Sequence, residues 1–126
     1  MFDIFDKNVI RIARGNSASI NITPIDTDTG TPVILQEGDK VLFTVKNQNG
    51  ATVMKKVLTS ADYDDAEDTS LNCSIEPEDT IDLLTGEYAY DCLLLVGSQA
   101  VTFISSAFII EKALGTYADV SGGDEP

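Results

Sequence analysis

Histidine and tryptophan are absent from this 126-residue chain, and cysteine occurs only twice. Without histidine there is no Ser-His-Asp or Cys-His nucleophile pair, and no imidazole base for work near neutral pH. The commonest zinc ligand is missing too. Two cysteines nineteen positions apart, Cys73 and Cys92, do not make a zinc site by themselves. Neither G-x-x-x-x-G-K-S/T nor G-x-G-x-x-G occurs, so no phosphate-cradling loop is recognisable. Carboxylates abound, and a paired-carboxylate hydrolase is formally possible. Nothing places two of them in an apolar cleft, however, and no indole offers a platform for a sugar ring. The chain reads as a non-enzyme that needs no cofactor.

Basic residues are also scarce, 8 against 21 acidic, for a net charge of −13. Binding to nucleic acid or an anionic membrane needs Lys and Arg gathered on one face. The only local basic groups are Arg11 with Arg14 and Lys55 with Lys56, which argues against both partners. The acidity serves solubility at high concentration. No segment approaches the ~20 apolar residues of a membrane helix. Met1 to Ile10 carries Asp3, Asp6 and Lys7 and lacks the apolar run of a signal peptide, so folding in the cytoplasm is expected. There the two cysteines read as buried thiols rather than a bridge, since both fall on apolar strand faces.

What is present is patterned. At 43% hydrophobic, the chain can fill one core, and residues 1–114 are expected to form a single β-sandwich domain. Residues 115–126 read as a flexible acidic tail. Short alternating runs separated by turn chemistry predict strands at Val9–Ala13, Ser17–Thr23, Lys40–Lys46, Ala51–Leu58, Thr69–Glu76, Gly86–Val96 and Gln99–Glu111. Pro24 to Gly38 reads as a polar connection. Asn49-Gly50 predicts a two-residue type I′ hairpin, which favours Met54 with Leu58 inward over Val53 with Val57. Gly97-Ser98 suits a type II′ turn. Seven strands of this kind predict an immunoglobulin-like antiparallel β-sandwich, with a small closed barrel as the alternative.

Three local features bear on chemistry. Asp62, Asp64, Asp65, Glu67 and Asp68 offer hard oxygens for Ca²⁺. The stretch lacks an EF-hand's mid-loop glycine, and Cys73 stands where the bidentate Glu belongs, so a solvated loop is the better reading. Arg14-Gly15-Asn16 is explained by turn chemistry. In I-E-P-E-D-T-I-D-L-L-T-G-E-Y-A-Y-D-C, Ile75 to Cys92, a strand meets Pro77, a short acidic turn and Gly86, and a second strand begins at once. That is how a chain crosses between the sheets of a sandwich. Tyr88 is placed as the corner tyrosine, ring inward and hydroxyl on upstream backbone.

The hairpin 86–111 is apolar on both sides. Pairing from Gly97-Ser98 opposes Leu94 with Val101, Cys92 with Phe103 and Tyr90 with Ser105. Tyr88, Tyr90, Cys92, Leu94, Val101 and Phe103 then form a core face. The other face carries Leu93, Leu95, Ala100, Ile104, Phe108 and Ile110. A sheet face this apolar is either covered or a binding patch. The cover could be Met1 to Phe5 or Tyr117. The functional reading is a subunit or partner interface built on Leu93, Leu95, Ile104, Phe108 and Ile110.

Three motifs carry a family resemblance: Arg14-Gly15-Asn16-Ser17, then Gly38-Asp39-Lys40-Val41-Leu42-Phe43-Thr44-Val45, then Ile75 through Asp91. They resemble R-G-(D/N)-S, G-D-x-V-x-F-x-V and I-x-P-x-D-T-x-x-L-x-x-G-x-Y-x-Y-D in the N-terminal domain of baseplate upper proteins of phages of Gram-positive bacteria. The resemblance spans roughly residues 9–111. It implies a β-sandwich that fixes a tail or baseplate component in the virion, oligomeric and assembled in the host cytoplasm with other tail proteins. The family often continues into helical and receptor-facing regions, whereas this chain ends soon after the sandwich. The alternative function is an immunoglobulin-like module binding carbohydrate or a cell-surface partner, for which exposed Tyr63 and Tyr117 would be the aromatics.

Overall fold

The computed structural model describes residues 8–63 and 69–112. Seven strands follow one another: β1 Ile10–Ala13, β2 Ala18–Ile22, β3 Lys40–Lys46, β4 Thr52–Leu58, β5 Leu71–Ile75, β6 Gly86–Val96 and β7 Gln99–Glu111. Five form one sheet in the order β1-β7-β6-β3-β4, and β2 pairs with β5 in a second. The chain is an all-β sandwich. One pairing departs from the antiparallel expectation: β1 lies parallel to β7, with Ile10 opposite Phe108 and Ile12 opposite Ile110.

The core is built by alternation. Val41, Phe43 and Val45 point inward from β3 at 0% exposure, while Lys40, Leu42, Thr44 and Lys46 point out. The rings of Phe43, Tyr90 and Phe108 meet at centroid distances of 5.3, 6.2 and 6.4 Å, tilted or edge-on. Leu71, Cys73 and Ile75 face them from the smaller sheet. Burying each such apolar side chain contributes about 1.5–3 kcal/mol. The connection 24–38 is less polar in effect than in composition. Pro24 and Leu35 are buried, and the Leu35 N–H donates to the Tyr63 hydroxyl at 2.9 Å.

Both hairpins adjust their register. Asn47 and Gly50 close the β3–β4 turn, with the Gly50 N–H on the Asn47 carbonyl at 3.0 Å. Gly50 has φ 84°, and among the described residues only glycines have positive φ, so Asn49 does not and the turn is not the expected type I′. It is a three-residue loop ending in a left-handed glycine. Left alone, that loop would turn Val53 inward. The register slips between Lys46↔Thr52 and Val45↔Met54, leaving Val53 as an extra residue, and Met54 and Leu58 face the core. The second hairpin keeps its two-residue turn, with Gly97 at φ 60°. Pairing runs as expected to Leu93↔Thr102, then slips to Cys92↔Ile104 around Phe103.

The corner joins the two sheets. Pro77–Thr80 forms one helical turn, α1, with proline at its first position, where no N–H is needed. Asp79 Oδ2 accepts from the Glu76 N–H at 2.7 Å and from Lys56 Nζ at 2.7 Å, tying the turn to β4. Thr80, at 0% exposure, accepts from the Gly15 N–H at 2.8 Å. Arg14 Nη1 reaches the Leu83 carbonyl at 3.5 Å. The Tyr88 hydroxyl donates to the Leu84 carbonyl, four residues upstream, at 2.7 Å.

Candidate interaction face

The slip at Phe103 decides which β7 side chains face out. An extra residue in one strand reverses the faces of everything beyond it. Phe108 and Ile110, expected on the outer face, lie in the core at 0% and 1% exposure. Ile104 sits opposite inward-facing Cys92 and packs against the core. These three are therefore corrected from the outer to the inner face. Leu93 and Leu95 do point outward, each half-buried. Phe103 packs against the core and Val101 is 39% exposed.

The outer face of the five-stranded sheet follows from the registers. One cross-strand row runs Val57, Leu42, Leu93, Thr102. Beside it lies Lys40, Leu95, Ala100, and on the other side Lys55, Thr44, Asp91, Ser105. Lys46, Ala89 and Ala107 come next, then Glu87 and Ile109. The apolar centre is thus Leu42, Leu93, Leu95 and Val57, the last 51% exposed. Leu42 was legible as outward from the alternation of β3. Its place beside Leu93 was not, because β3 and β6 are distant in sequence.

The charges on this face are segregated. Lys40, Lys46 and Lys55 stand on β3 and β4, whereas Glu87 and Asp91 stand on β6 and Glu111 on β7. Among the described residues only Arg11 with Glu111, at 3.3 Å, forms an ion pair on this face. The other ion pair, Lys56 with Asp79, belongs to the corner.

Elsewhere the surface offers little chemistry. A groove of about 440 Å³ lies between the β3–β4 turn and the corner, lined by Asn47, Gln48, Glu87 and Tyr88 among others. Two of its polar atoms are engaged internally: Asn47 Oδ1 accepts from the Asn49 and Ala51 N–H groups, and the Tyr88 hydroxyl donates to the Leu84 carbonyl. Tyr63 is half-buried, packs on the core and accepts from Leu35, so it is not the exposed aromatic expected of a sugar binder. No three metal-ligating side chains gather among the described residues. Asp62 Oδ2 accepts from the Thr59 N–H, and the remaining carboxylates of the acidic loop lie outside the described residues. Met1 to Phe5, Tyr117 and the tail 115–126 lie outside them as well.

Cys73 and Cys92 are free, buried thiols. Burial pushes Cys73 up to about 11 and Cys92 up to about 12, with the negative charge of Cys73 and Asp91 adding to the latter. Such thiols are poor nucleophiles. Tyr90 is likewise raised to about 12 by burial, and its hydroxyl donates to the Asn8 carbonyl.

No protein-family model and no curated protein matches the chain. Among solved structures, the N-terminal domain of phage TP901-1 ORF48 matches it with a TM-score of 0.51 at 16% identity, over 83% of this chain and 86% of that one. The two share a fold. The three motifs that carry the sequence resemblance meet in space here: Gly15 on Thr80, Arg14 on Leu83, and Phe43 against Tyr90. The chain therefore shares its fold with a phage protein domain, and the motifs that carry the sequence resemblance lie together in that fold.

Proposed function

We propose that this chain is a non-enzymatic structural module of a phage or prophage virion, of tail or baseplate type, that docks other proteins through the outer face of its five-stranded sheet. The observation that carries the reading is the apolar row Val57, Leu42, Leu93 with Leu95 beside it on the outer face of the sheet, the three leucines half-buried and Val57 exposed. A sandwich sheet normally presents polar side chains to water. The fold shared with a phage protein domain supports the virion context. Reduced buried thiols agree with assembly in a host cytoplasm.

The test is co-expression with the virion proteins encoded on either side of it, followed by sedimentation of the complex. Leu42→Glu with Leu93→Glu is expected to abolish co-sedimentation while far-UV circular dichroism stays that of the parent. Undiminished assembly by the folded double variant would refute the docking face.

A further inference from the structure

We propose that the outer face docks on a second copy of this chain, about a two-fold axis running along the seam between β3 and β6. This rests on the reading of that face as an interface and adds the identity and orientation of the partner.

The argument is one of charge and symmetry. A face that docks on its own copy must be self-complementary. The lysines occupy β3 and β4 and the unpaired carboxylates occupy β6. An axis across the strands would lay β3 on β3 and put like charges opposite each other, which repels. An axis along the strands, between β3 and β6, lays β3 of one copy on β6 of the other. Leu42 then meets Leu93 of the second copy, twice by symmetry, and the four leucines form an apolar centre. Lys46 lies opposite Ala89, between the outward positions of Glu87 and Asp91. The arrangement is the aligned sheet-on-sheet packing of β-sandwiches. About this axis β4, β3, β6 and β7 overlap over the seven-residue length of β3 and β4, a footprint of roughly 440 Å². That is the size of a small, concentration-dependent interface.

Light scattering of the full chain and its charge-reversed variants tests this. The parent is expected at twice the chain mass. Lys46→Glu alone and Glu87→Lys with Asp91→Lys alone are each expected to run as monomers, because each faces its own copy with like charge. An equimolar mixture of the two is expected to recover the dimer mass, since opposite charges then meet at both symmetry-related contacts. A parent that stays monomeric at about 100 µM overturns the self-docking. The docking-face reading survives that result if Leu42→Glu with Leu93→Glu still abolishes binding to a virion protein. A dimeric parent whose charge-reversed variants do not re-pair overturns the axis.

Discussion

The backbone N–H of Gly15 donates a 2.8 Å hydrogen bond to the hydroxyl of Thr80, sixty-five residues away, in a buried setting. It fastens the β1–β2 turn to the corner that carries the chain from one sheet to the other. Thr80 is fully buried, so its hydroxyl is there for this bond rather than for water. Thr80→Val keeps the shape and orphans the Gly15 N–H, which costs about 1–3 kcal/mol. Thr80→Ser keeps the donor's partner and should lose less. Urea unfolding decides: equal midpoints for the Val and Ser variants would mean that the bond does not matter.

The Tyr88 hydroxyl, which donates to the Leu84 carbonyl at 2.7 Å, caps the same corner from its other side. The bond is solvent-exposed, so Tyr88→Phe should lower stability by about 0.5–1.5 kcal/mol without altering the association state. Parallel thermal melting and light scattering check both halves. A variant melting with the parent would remove Tyr88 from the corner's stabilising contacts.

Much of this architecture was legible because strand alternation and turn residues are local. Val41, Phe43 and Val45 announce the inner face of β3, and Gly97-Ser98 announces its turn. What stayed hidden depends on distant partners. Phe103 follows Thr102 and precedes Ile104 with no glycine to mark a slip, so nothing local shows that the faces of β7 reverse there. The parallel docking of β1 on β7 leaves no turn to read. Asn49-Gly50 carries a hairpin signal shared by two turn types, and here Gly50 alone takes the left-handed conformation. The interaction face suffered most. Two of its five expected residues, Leu93 and Leu95, point outward; the others fell on the wrong side of the slip, while Leu42 and Val57 became neighbours of Leu93 only through sheet order.

The two thiols set an alkaline limit. Cys73 and Cys92 ionise at about 11 and 12 in the fold, against an ordinary value of 9.0. Tyr90 moves the same way, from 10.0 to about 12. With folded values raised, the unfolded chain gives up its protons first, so the native state binds more protons in this window. Stability is then full below about pH 9 and falls as pH rises towards about 12. Urea midpoints taken across that range should decline, and Cys92→Ala should decline less steeply. A flat midpoint up to pH 11 would contradict the burial of both thiols. At pH 8, a thiol-specific disulfide reagent should react only at the rate at which the domain opens.

The reversal at Phe103 predicts opposite fates for side chains that simple alternation would group together. Leu93 and Phe108 both belong to the expected outer face, yet Leu93 is half-exposed and Phe108 is sealed among Phe43 and Tyr90. At a protein concentration low enough for the parent to be monomeric, Leu93→Glu should leave the unfolding free energy within about 0.5 kcal/mol of the parent, as for a surface change. Phe108→Ala should cost about 3–5 kcal/mol, because a buried ring leaves a cavity that the sheets cannot close over. Deleting Phe103 is the sharper measurement. It makes the pairs Leu93↔Thr102 and Cys92↔Ile104 consecutive, so that Phe108 stays opposite Tyr88 and Ile110 opposite Gly86, both inward. Only the packing of Phe103 itself is lost. The deletion should therefore keep a cooperative thermal melt at a lowered midpoint, without exposing dye-binding apolar surface. A deletion variant that loses cooperative unfolding would show that Phe103 is not the extra residue that sets the faces of β7.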